Sequence, residues 1–343
     1  MQSLSVIFKK AYEIAVAEQP LPKPGTQEVL VQTRLSAISP GTEMLVYRGR
    51  FPAGVKADEG IGALAHEFSY PLKYGYATVG RVAALGSNVA PEWLNRLVFC
   101  FHPHESHFVV ASDQLIPLPA DIDPADAVFL ANMETAVNFM MDGRPVIGEC
   151  VVAFGQGIVG LLTTALLHRF PLNSLVTVDK YPLRREKSLQ LGADCAIDAD
   201  TVNLSVHLVE TLRSSCGASE ADLVYEVSGN PDAINQAIDV AGFAARIVIG
   251  SWYGTQKAKL DLGGHFHRRR ITLISSQVST LPQEFAARWS KARRLGVAWE
   301  MIRQIKPSQF ITQRFPVNRV QEAFELLDKR PEEAIQVVLT YEH

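Results

Sequence analysis

Three glycines constrain this chain more than any other feature. From Cys150 the sequence reads C-V-V-A-F-G-Q-G-I-V-G-L-L-T-T-A-L-L-H, and a second apolar run, L-V-T-V, then ends in Asp179. Val151 to Phe154 form an apolar run of the length and character of a buried parallel strand, and the pattern after Gly160 is helical (Ile158, Leu161, Leu162, Ala165, Leu166). Strand, Gly155-x-Gly157-x-x-Gly160, helix is the order of a dinucleotide-binding turn. Gly155 permits the tight turn, Gly157 lets the backbone approach a pyrophosphate, and Gly160 lets helix and strand pack closely. The helix start adds unpaired N–H groups and a positive dipole end for the phosphates. Asp179 stands 19 positions beyond Gly160, close to the roughly 20 expected of the carboxylate that binds adenosine ribose hydroxyls.

Bulk properties exclude several classes. A net charge of −3 over 343 residues gives no electrostatic reason to expect a nucleic acid or an anionic membrane as partner. No apolar run reaches the roughly 18 residues that span a bilayer, and the start M-Q-S-L-S-V-I-F-K-K has no signal-peptide core. Cys100, Cys150, Cys195 and Cys216 are scattered, which argues against a disulfide framework and against a thiolate metal cluster. The expectation is a reduced, cytoplasmic protein.

Residues 1–118 read as β-rich, with strand-like runs at Leu4–Phe8, Glu28–Leu35, Ala77–Leu85, Leu97–Phe101 and His107–Val110. Tyr47 to Pro71 has little periodicity and several glycines, so it is expected to be either an active-site cover or a surface insertion. A helix is expected from Pro124. Beyond Asp179, helices (Tyr181–Leu191, Val202–Leu212, Pro231–Val240) alternate with strands (Cys195–Ile197, Leu223–Val227, Arg246–Ile249, Ile271–Ser275). That alternation specifies a doubly wound parallel sheet, with ligands beyond the carboxyl ends of its strands. Helices near Pro282–Leu295 and Val317–Leu327 and a strand at Q-V-V-L-T-Y complete the chain.

This order resembles the medium-chain dehydrogenase/reductase superfamily over essentially the whole chain. The resemblance rests on V-A-F-G-Q-G-I-V-G with V-D-K, on G-Y-A-T-V-G-R-V-A-A-L-G-S-N-V, and on R-F-P-V-N-R-V-Q-E-A-F-E-L-L. It implies an α/β fold: a GroES-like β-barrel catalytic domain at 1–118, a Rossmann domain at 119–275, and a segment at 276–343 that returns to the catalytic domain. The runs S-A-I-S-P-G-T-E and N-M-E-T-A are most similar to the bacteriochlorophyllide a dehydrogenase branch. Zinc-dependent members carry Cys-Gly-(Ser/Thr)-Asp, then Gly-His-Glu, then a third ligand before the glycine turn. Here those places read Ser39-Pro40-Gly41-Thr42-Glu43, Gly75-Tyr76-Ala77 and Leu130-Ala131-Asn132. Serine, tyrosine and alanine do not supply a zinc set, so no catalytic zinc is expected.

The resemblance then implies a zinc-independent oxidoreductase that interconverts a small-molecule secondary alcohol and ketone. A quinone or enone reductase and a non-catalytic nucleotide binder stand as alternatives. Tyr76 is the expected proton donor to the substrate oxygen, with Glu43 fixing it, Thr42 relaying and Ser39 at the first ligand's place; the bland alternative is that Tyr76 merely packs there. In F-H-P-H-E-S-H, His102 and His104 would share a strand face and His107 the opposite one; the run is expected to line the substrate mouth, to bind a metal, or to be a plain exposed loop. His66-Glu67 reads as lid or surface. The expected cofactor contacts are Gly155, Gly157, Ile158, Val159, Gly160, Asp179, Lys180, Arg184, Ser228, Gly229, Gly250, Ser251 and Thr135. Asp179 favours NAD(H) over NADP(H) because it repels a 2′-phosphate, although Lys180, Arg184 and Arg185 lie close. Family habit implies a homodimer or homotetramer, for which the apolar Ile271–Ser275 could serve.

Overall fold

A computed structural model describes residues 2–52, 54–57 and 60–342. The chain divides into two compact units, Met1–Ala131 with Ile302–His343, and Asn132–Met301. Residues 119–131 therefore group with the β-rich unit, and 276–301 with the parallel sheet.

The chain opens with β1 (Gln2–Lys10) and β2 (Glu13–Pro20), an antiparallel hairpin turned at Tyr12, whose φ is +64°. Sequence reading missed β2. Its E-I-A-V-A-E-Q-P is weakly β-forming, and pairing with β1 along its length supplies what propensity does not. Next come β3 (Glu28–Ala37), α1 (Thr42–Tyr47), β4 (Thr78–Leu85), β5 (Leu97–Cys100), β6 (His107–Ala111) and β7 (Ile116–Pro117). The short α2 (Pro124–Ala127) is capped by Asp123, whose carboxylate accepts from Ala125 N–H at 2.8 Å.

After α3 (Leu130–Gly143) the parallel unit follows, made of β8 (Cys150–Phe154), α4 (Ile158–Leu167), β9 (Ser174–Asp179), α5 (Pro182–Gln190), β10 (Cys195–Asp198), α6 (Leu204–Cys216), β11 (Ala221–Glu226), α7 (Ala233–Val240), β12 (Ala241–Ile249) and β13 (Thr272–Ser275). Its sheet order is β10-β9-β8-β11-β12-β13, and every pair is parallel. The order reverses between β8 and β11, the switch point at which open α/β sheets bind ligands. β8 and β9 are buried at every residue, as a strand covered on both faces must be.

The expected helix at 282–295 is displaced. Residues Gln283–Phe285 make a single 3-10 turn, and α8 spans Lys291–Ile305. Ser290 Oγ accepts from Arg293 N–H at its start. The inward positions Arg294, Ala298, Trp299, Ile302 and Ile305 carry the helix past Gly296, a residue that costs a helix only about 1 kcal/mol. The chain closes with β14 (Ile311–Pro316), α9 (Val320–Lys329) and β15 (Gln336–Thr340). β15 pairs antiparallel with β3 and joins the seven-stranded sheet of the first unit, β14-β15-β3-β4-β5-β7, with β6 also on β3. α9 buries Val320, Phe324 and Leu327 at helical spacing, and Phe324 meets Phe8 edge-on at 5.3 Å. The fold is the expected one, with a parallel Rossmann sheet in one unit and a largely antiparallel sheet in the other.

Two of the scattered cysteines meet in the fold. Cys150, at the start of β8, and Cys216, at the end of α6, lie side by side with Cα atoms 6.9 Å apart. They are 66 residues apart in sequence, so their separation hid a pairing that only the folded α/β unit creates. Cys100 and Cys195 are free.

Candidate active site

In the parallel unit each glycine of the turn has a separate environment. A Cβ on Gly155, whose φ is +90°, would lie 2.4 Å from Ser228 Cα, and one on Gly160 would lie 1.9 Å from Gly155 O. Gly157 caps α4 in extended backbone, and a Cβ there meets nothing within 4 Å. Two glycines are thus required by packing, and the third leaves open space against the start of a ten-residue helix. Gln156 holds the turn from inside: its amide donates to Ala153 and Gly155 carbonyls and accepts from Thr164 Oγ1 at 2.8 Å.

Asp179 is buried at the end of β9, where Oδ2 accepts from Gln156 N–H (2.6 Å) and Oδ1 from Tyr181 N–H (2.8 Å). A carboxylate has about four acceptor sites, so two remain for ribose hydroxyls. The neighbouring cations are largely committed. Lys180 pairs with Asp200 (3.4 Å), and Arg185 reaches Asp198 (3.0 Å) and the Asp179 and Lys180 carbonyls. Arg184 lies over the Tyr181 ring at 4.7 Å.

At the ends of β11 and β12 the expected contacts Ser228, Gly229, Gly250 and Ser251 are joined by two residues that sequence reading missed, Glu226 and Tyr253. Glu226 is fully buried; Ser228 N–H (2.8 Å) and Ser228 Oγ donate to its Oε1, and Tyr253 Oη donates to Oε2. Burial, with Glu226 alongside, pushes the Tyr253 phenol far up. Ser228 is therefore held by Glu226, and Gly229 N–H donates to Ser251 Oγ (2.9 Å). A Cβ on Gly250 would strike the Phe139 ring at 2.2 Å, so packing alone demands that glycine. Glutamate closing an otherwise apolar strand, L-V-Y-E, was the available signal. Thr135 is half-buried on α3, beside Glu134, which forms a buried ion pair with Arg294 of α8 (2.9 Å).

In the β-rich unit, Tyr76 Oη donates to Ser39 Oγ at 2.7 Å and lies 3.4 Å from Thr42 Oγ1. These three expected residues are brought together. Glu43, fully buried on α1, is bonded differently from expectation. Its Oε1 accepts from Ser39 N–H (2.9 Å) and its Oε2 meets His104 Nε2 (2.8 Å). Glu43 therefore fixes Ser39. His104 continues inward through Nδ1 to Ser36 Oγ (2.7 Å), which meets Tyr341 Oη (2.8 Å); burial pushes that phenol up.

The placement of His104 corrects the expectation of a shared face with His102. Residues 101–104 are not strand, and Pro103, lacking an N–H, stands between the two histidines. His104 has no exposure and both ring nitrogens are engaged, so it lines no opening; Gly75, at φ +123°, gives it room, since a Cβ there would lie 2.7 Å from Nε2. His102 does line an opening. Its ring stacks on Phe108 (centroids 3.8 Å apart), and burial, partly opposed by Glu105, lowers its pKa to about 4. Exposed His66 and Glu67, in the irregular stretch after α1, line the same hollow. Among the described residues no three His, Cys, Asp or Glu side chains are grouped to hold a metal ion, and no helix is long and apolar enough to cross a membrane.

Comparison with known proteins gives a consistent neighbourhood. Residues 159–294 match the family model described as zinc-binding dehydrogenase. The starvation-sensing protein RspB of Escherichia coli K12 is 21% identical over 98% of this chain and 99% of its own. The L-threonine 3-dehydrogenase of Bacillus subtilis 168 is 23% identical over 95% and 96%. The solved structure of a short chain alcohol dehydrogenase (rspB) from E. coli CFT073, complexed with cofactor NADH, superposes with a TM-score of 0.79 at 20% identity, covering 99% of each chain. The doubly wound sheet and its glycine turn thus belong to a fold that this chain shares with dehydrogenases over nearly its whole length, and residues 159–294 match the zinc-binding dehydrogenase model.

Proposed function

We propose that the protein is an NAD(H)-dependent oxidoreductase that interconverts a secondary alcohol and a ketone without a catalytic zinc. The observation that carries the cofactor assignment is the open space at Gly157, over the start of α4, with the Asp179 carboxylate at the end of the next strand. Phosphates suit that helix start, and ribose hydroxyls suit Asp179. Ile158 and Val159 would follow the phosphates along the helix, with Ser228, Gly229, Gly250, Ser251 and Thr135 towards the nicotinamide half. The ties of Arg185 to Asp198 and to two backbone carbonyls support NAD(H) over NADP(H), because they hold that cation away from a 2′-phosphate. The NADH of the solved relative supports the same choice.

A bound nicotinamide supplies the hydride chemistry; the chain itself must handle one proton and the developing charge on the substrate oxygen. Tyr76 is the group for this. Its hydroxyl turns from Ser39 Oγ to give its proton to the ketone oxygen on reduction, leaving a phenolate, and that phenolate takes the alcohol proton back on oxidation. Ser39 and Thr42 hold the phenol, and Glu43, fixed by His104, holds Ser39 through its N–H. Where zinc enzymes of this family place thiolate and imidazole, this chain has a hydroxyl and a phenol, already bonded to each other. Its one nearby carboxylate is buried against His104. That donor set does not fit a catalytic zinc.

The short runs around Ser39 and Asn132 support a place beside the bacteriochlorophyllide a dehydrogenases. β13 is an edge of the parallel sheet, which supports pairing into a homodimer there. The test combines elemental analysis of the purified protein with the absorbance of NADH and NADPH against a panel of ketones and secondary alcohols. Turnover with NADH at less than stoichiometric zinc is expected. Stoichiometric tightly held zinc, or no uptake of either nucleotide, would overturn the proposal.

A further inference from the structure

Two hydroxyls from one short turn hold the Tyr76 phenol: Ser39 Oγ and Thr42 Oγ1 lie 2.7 and 3.4 Å from Tyr76 Oη. Glu43 closes that turn on itself. Its N–H donates to the Ser39 carbonyl (3.1 Å), and its Oε1 accepts from the Ser39 N–H (2.9 Å). A carboxylate with no exposure needs a further donor, and His104 Nε2, 2.8 Å from Oε2, is the only one at that oxygen among the described residues. The same imidazole packs against the backbone that presents the phenol. A Cβ on Gly75, the residue before Tyr76, would lie 2.7 Å from His104 Nε2. His104 is itself anchored to β1, where the Val6 N–H donates to its carbonyl (3.0 Å). One buried ring thus braces both the phenol's own backbone and the turn that carries its two supports.

The partners also place the ring proton. Burial pushes the Tyr341 phenol up, so it keeps its hydrogen, and Ser36 Oγ (2.8 Å) is its only hydrogen-bond partner among the described residues. With Tyr341 donating to Ser36, the Ser36 hydroxyl donates to His104 Nδ1 (2.7 Å), and Nε2–H donates to Glu43. Every polar hydrogen in this row then meets an acceptor. The opposite sense would strand the Tyr341 hydrogen and set a nitrogen lone pair against a carboxylate, and a proton on both nitrogens would strand the Ser36 hydrogen.

We propose that His104 is a positioning residue for the Tyr76 phenol: as the Nε2–H tautomer it fixes Glu43, which fixes the turn that presents Ser39 and Thr42. The inference deepens the reading of Tyr76 as proton donor and rests on it. Orientation is what His104 contributes, because a phenol that must deliver its proton along one line loses rate when its supports drift.

The experiment is NMR of the full chain with labelled histidine and tyrosine, beside kinetics with NADH and a ketone from the panel. The His104 signal, identified by its loss in His104→Gln, should show a lone-pair Nδ1 and a protonated Nε2. Two variants divide the ring's contacts. The amide of His104→Asn reaches Ser36 but falls short of Glu43, whereas that of His104→Gln reaches Glu43. His104→Asn should lower kcat about tenfold or more and leave the NADH KM within about threefold, because the glycine turn belongs to the other unit. It should also move the Tyr76 ring signals, identified by their loss in Tyr76→Phe, and His104→Gln should recover most of both effects. A proton on Nδ1 in the wild-type chain, unmoved Tyr76 signals in His104→Asn, equal losses in the two variants, or a loss confined to KM would each overturn the proposal. Should neither variant fold, the His104 signal is identified by its shift in Tyr341→Phe, and the wild-type tautomer decides. A chain that turns over no ketone sinks the dehydrogenase reading; the tautomer and the Tyr76 signals still judge the positioning role separately.

Discussion

Gly157→Ala separates nucleotide binding from folding more cleanly than any other substitution in the chain. At φ −64° and ψ −177° the backbone there is ordinary extended chain, and a methyl group would meet nothing within 4 Å. The fold should not notice it, and the smaller freedom of the unfolded chain should leave stability unchanged or higher by about 0.4–1 kcal/mol. The nucleotide should notice. A pyrophosphate bound against that backbone would be pushed outward by the new methyl, away from the helix N–H groups. Losing two hydrogen bonds to a charged group, at about 1.5 kcal/mol each, costs about 3 kcal/mol, or roughly a hundredfold in Kd. Titration of NADH by fluorescence, beside a thermal melt of the same sample, reads both quantities. Gly160→Ala is the contrasting case: its Cβ would sit 1.9 Å from Gly155 O, a clash with backbone expected to cost about 1–3 kcal/mol or more of stability. An unchanged melt with an NADH Kd within about threefold of wild type in Gly157→Ala would refute the placement of the pyrophosphate.

Tyr76→Phe keeps the ring and removes the proton, so kcat should fall by more than about tenfold, or 1.4 kcal/mol of barrier, with little change in the melt; a smaller fall removes Tyr76 from the chemistry. Arg294→Met leaves the Glu134 carboxylate buried without its cation and should cost about 3–5 kcal/mol of stability by urea unfolding. Recovery in the double variant with Glu134→Gln checks that the loss comes from the stranded charge. For His102 the sign follows from burial. The unfolded chain takes up the proton near pH 6.5 and the folded chain only near about 4, so this contribution is intact above the higher value and disappears as pH falls through the window. At most about 3 kcal/mol should be lost, visible as a falling stability difference between wild type and His102→Gln; a flat difference across that range would refute the burial argument.

The nucleotide-binding half is legible in the order of the residues alone. Strand, glycine turn, helix and terminal aspartate are contiguous, and each is written in a local period or in a spacing that one residue type alone satisfies. Motif position also put Ser39, Thr42 and Tyr76 in one group. Local pattern misled where it was weak or interrupted, as in β2, in the start of α8, and in the run broken by Pro103 that was expected to set two histidines side by side.

The long-range pairings arise only when the chain folds. Glu43 and His104 are 61 residues apart, Ser36 and Tyr341 are 305, Glu134 and Arg294 are 160, and Cys150 and Cys216 are 66. Nothing in the neighbourhood of a buried polar group names its partner in the chain. The penalty for leaving such a group unpaired is collected only when strands and helices from distant segments close around it. Periodicity therefore wrote the elements and the glycine turn into the sequence, and packing alone chose which histidine would hold Glu43 and which would face an open hollow.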